Sequence, residues 1–207
     1  MNAVASIADL SGAIHALAGR SAALDDVTRF AAQDLLYAVV LVFGILWCRR
    51  DGLRAGLAAG LGALVAVAIS AIIGDVHHSA RPFIAGHYAP LFAHADDAAF
   101  PSDHLAALGA VTAGAWMSSR RIGAATAVLA LMIAFARVYA GVHYVGDVTA
   151  GFVIGVAAGL LVWSAIRPLV PMLDRLDAGL RRRRLRPGTH GKRPSLSAVE
   201  FVHMDPG

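Results

Sequence analysis

The chain has 207 residues, 57% hydrophobic and 15% charged, with a mean hydropathy of +0.63. Soluble domains carry roughly 25% charged residues, so this composition excludes an ordinary soluble fold and points to one membrane-embedded domain. The net charge of +4 is local: Arg181 to Arg184, Arg186, Lys192 and Arg193 all lie in the tail, where such a cluster reads as a cytoplasmic membrane anchor rather than a nucleic-acid site.

Residues 1–34 carry Asp9, Arg20, Asp25, Asp26, Arg29 and Asp34 and are too charged to span a bilayer. Ile7, Leu10, Ile14 and Leu17 recur at helical spacing, which predicts an interfacial amphipathic helix. A second short helix is predicted from Ser21–Asp25, with Ser21 as its cap. The start does not read as a secretory signal: no Lys or Arg precedes Arg20, and Asp9, Ser11 and His15 interrupt the apolar stretch.

Five apolar stretches follow, at Leu35–Cys48, Leu53–Gly74, His104–Met117, Ile122–Tyr139 and Val148–Ile166. About 20 helical residues cross the roughly 30 Å hydrocarbon core. The expectation is an all-α integral membrane bundle of about five transmembrane helices over residues 35–170, with N-terminal interfacial helices and a basic, disordered cytoplasmic tail over 171–207. The first stretch spans if it starts near Phe30, and the third if its first turn sits at membrane depth. Gly151 and Gly155 form a GxxxG step, suited to packing within the bundle and also to a homodimer seam. Cys48 reads as a small apolar residue, buried or facing lipid, and as a single cysteine it permits no intramolecular disulfide. Trp116, Trp163, Tyr139 and Tyr144 read as interfacial belt or packing residues.

Basic residues set the orientation. Arg49, Arg50 and Arg54 separate the first two stretches, Arg120 and Arg121 the third and fourth, and the arginine-rich tail follows the fifth. All three fall on one side, the cytoplasm by the positive-inside rule. The Asp75–Asp103 loop and the Gly141–Asp147 turn then face the exterior, as does the N-terminus.

The chemistry-bearing residues gather on that outer side. Pro101-Ser102-Asp103-His104 starts a helix whose first N–H groups suit an anion. Ser102 can cap that helix or donate to a phosphate oxygen. Arg137 ends an otherwise apolar helix, where a charge is costly unless it snorkels or pairs. His143 and Asp147 are four apart, so carboxylate and imidazole can meet, with the second ring nitrogen left to attack. Arg81-Pro82 offers a guanidinium fork for phosphate. His77, His78, His87, His94, Asp96 and Asp97 in the long loop match no standard zinc spacing and read as solvated.

With these residues in hand, the chain resembles the type 2 phosphatidic acid phosphatase superfamily. That family shows Lys-x6-Arg-Pro, Pro-Ser-Gly-His and Ser-Arg-x5-His-x3-Asp. Here the second motif is Pro101-Ser102-Asp103-His104, the third runs from Ala136-Arg137 through His143 to Asp147, and the first survives as Arg81-Pro82. Phe100 to His104, Arg81-Pro82-Phe83 and Ala18 to Ser21 further resemble the bacitracin-resistance type of undecaprenyl-diphosphate phosphatase.

The resemblance implies roles. His143 is the expected nucleophile, forming a phosphohistidine, Asp147 its orienting carboxylate, and His104 the general acid. Arg81, Arg137, Ser102 and Asp103 are the expected phosphate-site residues, without metal or cofactor. It further implies a bacterial inner-membrane enzyme that cleaves a polyprenyl diphosphate at the outer face, in cell wall biosynthesis and bacitracin resistance. Gly74 replaces the family lysine, Ala136 its serine and Asp103 its glycine. His77 and His78 are the nearest substitute cations in sequence. The departures leave open another lipid phosphate as substrate, a phosphotransferase, and a non-catalytic lipid-binding protein.

Overall fold

A computed structural model describes residues 10–49, 52–86 and 88–184. Ile7, Asp9, Arg50, His87, Arg186, Lys192 and Arg193 therefore lie outside the described residues. All regular structure among the described residues is helical. A helical segment over 10–15 precedes α1 (Ala22–Gln33), α2 (Ala38–Trp47), α3 (Gly52–His77), α4 (Asp103–Ser118), α5 (Arg120–Tyr139), α6 (Val145–Ala165) and α7 (Val170–Arg184).

Three helices, α3, α5 and α6, are long and apolar enough to cross a membrane. The first expected span is instead broken. Asp34 ends α1, a 3-10 turn follows at Leu35–Tyr37, and α1 and α2 meet at 47°. A continuous helix through Asp34 would carry its carboxylate toward the hydrocarbon core, which is costly. The fourth element, α4, has only 16 residues and carries the Pro-Ser-Asp-His motif at its start.

Helix α4 is the hub, packed against α3, α5 and α6. Every residue from Leu105 to Ala115 except Ala107 is buried. Small residues let the neighbours approach to backbone contact. A Cβ added at Gly151 would run into the carbonyl oxygen of Ser102, and one at Gly155 into that of Ala106. The GxxxG step is thus used inside the bundle, on α4.

Basic and motif-bearing ends separate as the charge pattern requires. At one end Arg49 donates from Nε to Ser118 Oγ at 2.9 Å, and the Arg54 guanidinium stacks 3.9 Å from the centre of the Trp163 ring. Cys48 is exposed on the bundle surface.

The tail departs from expectation. Residues 171–184 are not disordered but continue in α7, which packs on α3 and buries Leu173 and Asp177. The four-residue spacing of those two positions gives the helix an inward stripe that the arginine run obscures.

At the other end, residues 10–34 strap the end of α5 and the start of α6. Ser21 caps α1, its Oγ accepting from Leu24 N at 3.5 Å. Ala31 and Ala32 pack on Ala136, while Leu24, Val27 and Phe30 stay exposed. This is the amphipathic pattern of an interfacial helix. Tyr139, fully buried, donates its hydroxyl to Asp25 Oδ1 at 2.7 Å, and Ser11 Oγ accepts from Val145 N at 3.0 Å.

Candidate active site

Three segments converge at the end of the bundle opposite Arg49 and Arg54: the start of α4, the turn between α5 and α6, and the loop after α3. The turn is possible because Gly141 takes a positive φ of 74°, a region costly for other residues. Asp147 sits in the first turn of α6 and accepts the backbone N–H of Tyr144 at 2.8 Å, closing the helix start. The amide of Ser102 then donates to the carbonyl of Asp147 at 3.1 Å, tying α4 to α6.

His143 lies at the centre, 2% exposed. Its Nδ1 is 3.0 Å from the carbonyl oxygen of Ala99 and 3.5 Å from Asp147 Oδ2. A carbonyl only accepts, so Nδ1 carries the proton and Nε2 keeps a lone pair. That lone pair faces Arg81 Nη1 at 3.1 Å and Ser102 Oγ at 3.4 Å. Burial first, then the charges of Arg137 and Arg81, hold the imidazole well below the usual histidine range. The ring is neutral at pH 7, the state a nucleophile needs.

Arg81 is not a loop arginine in solvent but is buried at 4% exposure. It donates from Nε to Asp97 Oδ1 at 2.7 Å and from Nη1 to the Val142 carbonyl at 3.0 Å. Burial raises the Asp97 carboxyl, but the hydrogen bond and charge of Arg81 outweigh it and leave the group below the usual carboxylate range. Arg137 donates from Nη1 to the Ala32 carbonyl at 3.3 Å, and its Nη2 lies 2.9 Å from His94 Nε2. Its Nε is buried without a partner among the described residues, a donor left for a ligand.

Ser102 makes no side-chain cap on α4. Its buried hydroxyl lies 3.4 Å from His143 Nε2 instead. His104 is half-buried on the first turn of α4. Asp103 is exposed and lines a cavity of about 170 Å³ with Ser70, Gly74, Asp75 and Asp97.

Two participants are absent from the sequence expectation. His94 is not a solvated loop histidine: its side chain is 16% exposed and its ring centre lies 6.5 Å from that of His143. Asp97 pairs with Arg81. No signal near either position marks it, because the loop that delivers them has no periodicity. Among the described residues no three of His, Cys, Asp and Glu form a metal-holding group.

The sequence model of the PAP2 superfamily matches residues 55–170, more than half of the chain. The chain belongs to the PAP2 superfamily. Undecaprenyl-diphosphatase BcrC of Bacillus subtilis (strain 168) is 29% identical over 169 residues, covering 79% of this chain and 88% of that protein. Putative undecaprenyl-diphosphatase YbjG of Escherichia coli (strain K12) is 32% identical over 146 residues, covering 66% and 72%. The crystal structure of Aquifex aeolicus LpxE superposes with a TM-score of 0.62 at 22% identity, over 75% of this chain and 93% of that one. That of a PAP2 type phosphatidylglycerolphosphate phosphatase from Bacillus subtilis gives 0.57 at 26% identity, over 82% and 89%. This PAP2 chain is thus a multi-pass membrane protein of a phosphatase family.

Proposed function

We propose that this PAP2 protein hydrolyses a polyprenyl diphosphate, undecaprenyl diphosphate in particular, to the monophosphate and inorganic phosphate through a phosphohistidine. The observation that carries this is the pinned imidazole of His143, whose free Nε2 faces Arg81 and Ser102. Nε2 attacks the terminal phosphorus and the bond to the bridging oxygen breaks. His104 protonates the lipid monophosphate as it leaves, then takes a proton from the water that cleaves the N–P bond. Arg81, Arg137, Ser102 and the first N–H groups of α4 hold the phosphoryl oxygens, whose charge is spread in the transition state. Asp147 offsets the charge that the ring gains.

The relatives named undecaprenyl-diphosphatase support the substrate. So does an apolar groove of about 300 Å³ on α4, α5 and α6, lined by Leu105, Ala130, Ala134, Val148 and Phe152. Leu105 and Val148 directly follow His104 and Asp147 in the chain, so a prenyl chain lying there keeps its headgroup at the site. In this reading the arginine-rich end faces the cytoplasm of a bacterial inner membrane and the site faces outward.

The test is phosphate release from undecaprenyl diphosphate by the full chain in detergent, with 32P label trapped on the protein. Release with an acid-labile, base-stable phosphoenzyme that His143→Ala does not form supports the mechanism. Release by His143→Ala at the wild-type rate overturns it. The similarity to a phosphatidylglycerolphosphate phosphatase favours a second reading, in which the lipid is a glycerophospholipid phosphate. A panel of both lipids decides by the larger kcat/KM.

A further inference from the structure

Positive charge in the pocket is scarce. Arg81 is already paired with Asp97 at 2.7 Å. Arg137 donates to the Ala32 carbonyl and lies against the His94 ring. A phosphate monoester brings about −1.5 to −2. Position 74 is no source of a further cation: it is the buried Gly74, where a Cβ would lie 3.1 Å from Ala98 Cβ. His77 and His78 are exposed, and His77 lies edge-on to Phe100.

His94 is placed differently. It enters from the loop between Phe83 and Phe92, whose rings flank it at 6.4 and 6.3 Å. Arg137 can only donate, so His94 Nε2 accepts at 2.9 Å, and Nδ1 donates to the Ala95 carbonyl at 3.2 Å. The ring is therefore neutral while Arg137 leans on it. The charged and titratable groups that face it are Arg81, Arg137 and Asp97, with His143 and His104 across the pocket. Burial first, with Arg81 and Arg137, outweighs the Ala95 carbonyl and Asp97, and keeps the empty-pocket ring below its usual range.

We infer that His94 is a phosphate-binding residue that exchanges Arg137 for the terminal phosphate of the substrate and takes up a proton as it does so. As phosphate enters, Arg137 Nη2 turns from His94 to a phosphoryl oxygen, which leaves His94 Nε2 open. A proton from water forms Nε2–H, which donates to a second phosphoryl oxygen. No bond to phosphorus changes, and the proton returns to solvent when phosphate leaves. The pocket thereby gains its third cation only when an anion is present. Empty, it avoids three like charges side by side.

This rests on the phosphate pocket proposed above, yet its test needs no turnover, so failure of the hydrolysis assay and failure of this inference are read separately. The probe is inorganic phosphate, titrated calorimetrically into the full chain in detergent at pH 8.5, where phosphate is already a dianion, in buffers of different ionisation enthalpy. The expected result is proton uptake by wild type that His94→Gln lacks, with phosphate binding about tenfold weaker in His94→Gln. Gln keeps a neutral acceptor for Arg137, so a purely supporting role for His94 would leave both quantities unchanged. His94→Lys, a permanent cation, is expected to bind phosphate within about threefold of wild type without proton uptake. Wild type that takes up no proton, or His94→Gln with wild-type affinity and uptake, overturns the inference.

Discussion

The amide of Ser102 donates to the carbonyl of Asp147 across 3.1 Å, and four residues along α6 the backbone of Gly151 presses on the carbonyl of Ser102. The start of α4 thus meets α6 at backbone contact, beside the packing of Leu105 on Val148, and this seam sets how far Ser102 stands from His143. Gly151→Val is expected to cost about 1–3 kcal/mol through overpacking and to abolish phosphate release by pushing α4 outward. Thermal unfolding in detergent and a release assay check both parts.

Asp147 and the Ala99 carbonyl divide the orientation of His143 between them. The closer contact, 3.0 Å against 3.5 Å, is the carbonyl. Asp147→Asn should therefore keep the tautomer and lose only charge support for the ring. The expected fall in kcat is roughly 10- to 100-fold with KM unchanged, well below the ~10⁴ seen where neutralising a carboxylate also loses the tautomer. Steady-state kinetics on the variant give the number. A loss as complete as that of His143→Ala would return the orienting role to Asp147.

Removing the general acid proposed at position 104 should lower kcat by about 10² to 10⁴. A substrate analogue with a better leaving group should recover much of that loss in His104→Ala, because its oxygen leaves without a proton. Equal losses for both substrates would place His104 outside proton transfer.

The depressed ionisation of His143 fixes a pH dependence. Its folded-state pKa lies below the unfolded value of about 6.5. As pH falls through 6.5 the unfolded chain gains a proton that the folded ring refuses, so stability falls with pH. The melting temperature at pH 5.5 should be lower than at pH 7.5, and the difference should shrink in His143→Gln. The acid limb of kcat/KM governed by this ring should lie below pH 6.5, since the imidazole stays neutral down to that range.

Tyr139 ties the N-terminal strap to the end of α5: its hydroxyl lies 2.7 Å from Asp25 Oδ1 and 3.0 Å from the Leu17 carbonyl. The single hydroxyl proton goes to the closer acceptor, Asp25, and Tyr139→Phe leaves the ring and removes that hydrogen bond. The expected outcome is a lower melting temperature, read by thermal unfolding in detergent.

Much of the site was legible because each motif residue is costly where it stands. Arg137 at the end of an apolar helix, and His143 with Asp147 four residues on, declare themselves against hydrocarbon neighbours. His94 and Asp97 do not, since a polar loop contains histidines and aspartates at no evident cost. Their convergence on Arg137 and Arg81 depends on how the loop folds back over α5. The helical tail to Arg184 escaped notice for a related reason: its inward stripe is short and interrupted by arginines.

By itself the sequence determined the solvent and the chemistry. The apolar stretches demand lipid, and the clustered motif residues mark a PAP2 chain, because composition and local spacing act through nearest neighbours. Only the tertiary structure decided which partner each motif residue meets: that a carbonyl of the loop, more closely than the carboxylate of α6, pins the His143 ring, and that α1 and α2 bend where one span was expected. Those outcomes depend on contacts between residues far apart in the chain, and such contacts are set by how glycine-lined helices pack rather than by any local pattern.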